Sequence, residues 1–182
     1  MRRILFPLLA ILFVKPLSAS DEFEVFGAEL YPAIQRVMAT VLSRSNASFL
    51  PCQGRLTLSS GNPVPTSDVT AATTVYFTPY DGDLVALYSG SVWQLVSFTE
   101  TSVAVPSTTT TPFDVFAYNN SGTLTLETVN WTNDTTRATS LTTQNGVQVK
   151  SGAATRRYIG TGRTTSSSGQ SEDSTSRRFL WN

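Results

Sequence analysis

The chain has 182 residues, of which 40% are hydrophobic and 14% charged, with no histidine and a formal net charge of zero. The missing histidine removes the commonest general base and the commonest metal ligand. The single cysteine, Cys52, excludes an intrachain disulfide, a cysteine-rich zinc site and a Cys–His catalytic pair.

Residues 1–20 begin with Arg2 and Arg3, continue through an apolar run from Ile4 to Val14, and end in small polar residues around Ser18 and Ser20. That is the layout of a secretory signal peptide, or else an atypical leader. The run is too short for a bilayer span, which needs about 20 apolar residues. Residues 21–50 differ. Ile34, Val37, Met38, Val41 and Leu42 recur at spacings of three and four, with Pro32 at the first turn and Arg44 near the end. This predicts a short amphipathic helix and a linker.

Residues 51–182 read as a β-rich domain of short strands between turn signals. Arg55–Leu58 alternates and is broken by Ser59–Pro63. Asp68 precedes Val69–Ala72 as the cap of a single helical turn. Thr74–Phe77 is the next strand. Leu84–Tyr88 and Val92–Phe98 flank Ser89-Gly90-Ser91 as a hairpin, with Val96 and Phe98 on the face opposite to Trp93, Leu95 and Ser97. A second hairpin joins Phe113–Tyr118 to Thr123–Val129, and a third joins Ser140–Thr143 to Val147–Lys150 through Asn145-Gly146. Arg156–Thr164 is a last strand, and the polar stretch Thr165–Ser176 reads as an exposed loop or as locally disordered. The fold class is therefore mainly β: an antiparallel β-sandwich or barrel preceded by the short helix. Its expected core includes Tyr76, Phe77, Trp93, Phe98, Phe113, Phe116 and Tyr118.

Charge is unevenly placed. Residues 51–149 hold two arginines against seven acids, whereas residues 150–182 hold six basic residues against two acids. Such halves attract one another within a domain or between subunits. A basic tail can also serve nucleic acid, but this one lacks interleaved aromatic platforms, so no nucleic acid is expected.

The residues suited to chemistry are few. Asp81 and Asp83 are the obvious candidates for the carboxylate pair of a glycosidase, yet Asp-Gly-Asp between strands is ordinary turn chemistry. Trp131 stands beside Asn133, Asp134 and Arg137. It is suited to stack on a sugar, or to close the sandwich over an Asp134–Arg137 pair. Asn46, Asn119, Asn130 and Asn133 open N-x-Ser/Thr triplets, which matter only in a eukaryotic secretory pathway. The sequence assigns no catalytic, cofactor-binding or metal residue.

From Gly54 to Asn182 the chain resembles virion proteins of tailed bacteriophages and prophages, of tail-fibre or receptor-binding type. The segments that carry the resemblance are GRLTLSSGNPV, DVTAATTVYFTPYDGDLVALYSGSVWQL, FDVFAYNNSGTLTLETVNWTNDTTRAT, QNGVQVKSGAATRRYIGT and EDSTSRRFLWN. The resemblance implies a non-enzymatic structural or host-recognition module on a virion exterior. Its implied partners are copies of itself, most often three, other virion proteins and a host surface glycan. Chains of this type continue beyond the last segment, which implies a domain cut short at Asn182. The leader instead suits a secreted surface adhesin or glycan-binding module carrying a phage-derived domain.

Overall fold

The computed structural model describes residues 50–182, and the leader and amphipathic helix expected before them lie outside the described residues. Fourteen strands and no helix occur among the described residues. They are β1 (Gly54–Thr57), β2 (Val69–Ala72), β3 (Thr74–Pro79), β4 (Leu84–Tyr88), β5 (Trp93–Ser97), β6 (Thr101–Ala104) and β7 (Pro112–Asn120). The others are β8 (Thr123–Asn133), β9 (Thr136–Arg137), β10 (Leu141–Gln144), β11 (Val147–Lys150), β12 (Ala153–Arg163), β13 (Ser171–Asp173) and β14 (Leu180–Trp181).

One sheet runs β10-β11-β12-β7-β8-β9, with β14 attached to β12; three smaller assemblies are β1-β3-β6, β4-β5 and β2-β13. All pairings are antiparallel. The small sheets lie against one face of the large one, β4 against β12 and β7, and β6 against β8. The expected antiparallel β-sandwich is the observed architecture.

Alternation builds the core. Phe113, Val115 and Ala117 of β7 point inward to meet Leu56, Val75, Phe77, Val85, Leu87, Val96 and Phe98 of the small sheets. Phe77 and Phe98 stack with centroids 4.9 Å apart. Each such aromatic contributes about 1.5–3 kcal/mol on burial. Tyr76, Trp93 and Tyr118, expected in the core, are only half-buried. Val96 and Phe98 are buried while Leu95 and Ser97 are exposed, as the alternation predicts.

The turns follow their residue chemistry. Asn145-Gly146 and Ser121-Gly122 both have two positive φ values (52° and 87°, 52° and 94°), the pattern of a type I′ hairpin. The Asn119 carboxamide accepts from Gly122 N at 2.6 Å, closing the second hairpin more tightly than the four-residue turn the sequence suggested.

Two expectations are corrected. Val69–Ala72 is a strand, not a helical turn, because it pairs with β13. Asp68 accepts from Thr175 N and Oγ1, at 2.9 and 3.2 Å, so its acceptors are spent across the pair rather than on a helix. Thr165–Ser176 is not simply an exposed loop: it contains β13, and Ser171 and Ser174 are buried. Small hydroxyl side chains tolerate burial when hydrogen-bonded; here Ser171 Oγ donates to Arg163 O at 2.8 Å.

Buried polar groups tie the layers. Arg157, 8% exposed, donates to the carbonyls of Ala86 (2.8 Å), Pro51 (2.9 Å) and Leu50 (3.1 Å). It thereby links β12 to β4 and to the chain entering β1. Burial pushes its pKa down from the ordinary arginine value. At the other end, the Asn182 carboxamide pairs with both backbone groups of Leu56.

The outer face of the large sheet has a different cover. Arg156 lies over the Tyr118 ring (3.7 Å to its centroid) and Lys150 Nζ near Phe116 (5.7 Å). Glu127, opposite Phe116 in β8, accepts from Lys150 Nζ at 2.9 Å and Arg156 Nε at 3.0 Å. Basic residues of 150–163 thus neutralise acids earlier in the chain, within the domain.

Two predictions follow from this packing. Gly162 stands opposite Phe113, whose ring occupies the space a Cβ would need. Gly162→Ala lowers stability by about 1–3 kcal/mol, read by thermal unfolding, and Phe113→Leu in the same chain recovers part of the loss. The second concerns acid. Burial pushes the Glu127 carboxyl up, but hydrogen bonds and charge from Lys150 and Arg156 outweigh it and hold its pKa below the ordinary value. A lowered carboxyl pKa contributes stability that is full above the ordinary glutamate range, about 4.3, and is lost as pH falls through and below it. Denaturant unfolding between neutral pH and pH near 3 shows this loss, and Glu127→Gln makes the profile flatter.

Candidate ligand-binding cleft

Where β8, β9, β12 and β14 meet, the outer face opens into a cleft of about 330 Å³. Strand pairing places Arg137 of β9 opposite Trp131 of β8, and β12 contributes Tyr158, Thr161 and Arg163. Trp181 of β14 forms a wall and is 49% exposed. Asp134 sits in the β8–β9 turn, shaped by the Asn133 carboxamide accepting from Thr135 N and Oγ1, both at 3.0 Å.

The floor is a chain of hydrogen bonds around a buried carboxylate. Asp114, opposite Val129 in β7, has a side chain 2% exposed. Its Oδ2 accepts from Arg137 Nε at 2.8 Å and its Oδ1 from Thr161 Oγ1 at 2.7 Å. Tyr158 Oη lies 2.7 Å from Thr161 Oγ1. An ionised carboxylate only accepts, so Thr161 gives its proton to Asp114 and receives one from Tyr158. Arg137 is held by this floor with its guanidinium 4.4 Å from the Trp131 ring centroid and 5.8 Å from that of Tyr158. Its terminal nitrogens bond no other described residue.

At the rim, Arg163 grips Asp134 through both terminal nitrogens, at 3.0 and 3.2 Å, and also donates to Thr110 O at 2.8 Å. Asp134 nonetheless keeps a side-chain exposure of 64%. The cleft therefore offers an open indole face, open guanidinium donors and an open carboxylate acceptor. This set suits a polyhydroxylated ring: C–H faces stack on the indole while hydroxyls bridge acceptor and donor.

The sequence grouped Trp131, Asn133, Asp134 and Arg137 correctly but paired them wrongly. Arg137 pairs with Asp114 and Asp134 with Arg163, because each arginine reaches across an intervening strand, β8 in the first case and β7 in the second. Trp131 is half-buried with Arg137 over one face, so Trp181, not Trp131, presents the open indole. Tyr158, Thr161, Arg163 and Trp181 gave no local signal; only strand pairing brings them to residues 114–137.

Asp81 and Asp83 are exposed in the β3–β4 loop, outside this cleft. Asp83 Oδ2 accepts from Ser97 Oγ at 2.9 Å and its carbonyl from Phe98 N at 2.9 Å, so it closes the base of a hairpin. Among the described residues no group of three or more acidic or cysteine side chains is placed to hold a metal ion. No protein-family model, curated protein or solved structure matches the chain.

Proposed function

We propose that this chain is a non-enzymatic recognition module of a virion exterior that binds a host surface glycan in the Trp181 cleft. The observation that carries the reading is the combination of a half-exposed Trp181 with the exposed Asp134 carboxylate and the fixed Arg137 donors. The resemblance over residues 54–182 to tail-fibre and receptor-binding proteins supports the virion setting. The reading as non-enzymatic is supported by the structural use of three acids. Asp114 has both oxygens filled from within the protein, and Glu127 and Glu100 are each held by several donors. A carboxylate spent in this way is not poised to move protons. Other virion proteins are the remaining partners. The signal-like layout of residues 1–20 favours a second reading, a secreted adhesin using the same cleft.

The full chain titrated against a glycan array and against intact host cells tests this. Trp181→Ala lowers glycan affinity about tenfold or more, equivalent to about 1.4 kcal/mol or more, and Asp134→Ala weakens binding in the same direction. Trp93→Ala, an aromatic outside the cleft, leaves affinity unchanged. Binding that survives Trp181→Ala intact, or no retention of any glycan, defeats the reading.

A further inference from the structure

We propose that β5 is a self-association edge, on which two copies of the chain join their β4–β5 hairpins into one four-stranded sheet.

The edge is identified by its hydrogen bonds. Two bonds mark the parity of the hairpin: Ser89 N to Val92 O and Phe98 N to Asp83 O, both at 2.9 Å. The register between them is unbroken from Tyr88↔Trp93 to Leu84↔Ser97. Hydrogen-bonded pairs alternate along an antiparallel ladder. Gln94 and Val96 therefore bond β4, while Trp93, Leu95 and Ser97 turn their N–H and C=O groups outward. The far edge of β4 is already taken by the chain entering β1, through Gln53 N to Leu84 O (3.0 Å) and Ala86 N to Pro51 O (2.9 Å). Among the described residues, nothing bonds the outward groups of β5.

Natural edges are normally blunted by charge, proline or a bulge. Val92–Phe98 has none: it holds no charged residue and no proline, and its register has no shift. Val92 and Leu95 are 45% and 40% exposed beside it.

The strand itself indicates the occupant. Paired antiparallel to its own copy about Leu95, it sets Trp93 against Ser97, Gln94 against Val96 and Leu95 against Leu95. Bulky Trp93 meets small Ser97, roughly six backbone hydrogen bonds form, and no charge opposes the approach of an identical strand. A two-fold pairing of this kind uses one patch on both copies and closes at two. It replaces, for this contact, the three copies that the resemblance leads one to expect.

Sedimentation and light scattering of the full chain test it. The expected result is a dimer whose dissociation constant rises at least about tenfold in Leu95→Lys, with unchanged circular dichroism. A second test does not depend on that variant folding well. In a Cys52→Ser background, Leu95→Cys places two thiols across the axis. A hydrogen-bonded pair has Cα atoms about 5.5 Å apart, within disulfide range, so mild oxidation yields a covalent dimer. A monomer at every concentration, an oligomer whose mass Leu95→Lys leaves unchanged, or a Leu95→Cys chain that does not cross-link overturns the proposal.

Discussion

β7 must be dry on both sides although only one side has a second sheet to cover it. Its residues Pro112–Ala117 are all buried. Inward, Phe113, Val115 and Ala117 meet the small sheets. Outward, Asp114 and Phe116 are no less enclosed, at 1% and 0% exposure. Among the described residues, long side chains from β9, β11 and β12 of their own sheet close over them. The charged heads of Arg137, Lys150 and Arg156 lie over aromatic rings and at the same time pair with carboxylates of β7 and β8.

This cover accounts for the charge pattern of the chain. Few charges are present, and the acids of β7 and β8 sit at the register positions that β9, β11 and β12 reach with cations. An ion pair on an open surface contributes little, typically below about 1 kcal/mol. Here the carboxylate of Asp114 is enclosed, so the pair's importance lies in what its loss leaves behind, a desolvated polar group without a partner. The cleft is the place where the cover is incomplete. At the β8–β9–β14 end, Arg137 is already committed to Asp114 and Trp131, and Trp181 is left half in solvent. The geometry of the candidate cleft is thus a by-product of closing β7 from outside.

What was legible in the sequence was local. Alternation located the strands around Leu56, Phe77, Val96 and Val149, and Asn145-Gly146 fixed a hairpin through the two positive φ angles it accommodates. What was not legible was anything decided by a distant partner. Val69–Ala72 carries no strand pattern and becomes one only when Ser171–Asp173 arrives beside it. The run Thr165–Ser176 looks too polar to pack, yet hydroxyls that bond backbone carbonyls are buried without penalty. The cleft failed in the same way. WTNDTTRAT contains Trp131, Asp134 and Arg137, but their partners Asp114, Arg163 and Trp181 are distant in sequence and meet them only through the pairing of β12 with β7 and β14.

The same reasoning separates the two surfaces that bear on function. On the large sheet the aromatics are roofed by cations, which makes that face wet, charged and ill-suited to bind an identical copy: like-charged heads would meet across a two-fold axis. It is suited to a small polar ligand that slips between them. On the β4–β5 hairpin the reverse holds. The strand carries no charge, its outward backbone groups bond nothing among the described residues, and Val92 and Leu95 are exposed beside them. Such an edge has little with which to orient a sugar but much with which to extend a sheet. The candidate cleft and the proposed self-association edge therefore draw on different physics at different places.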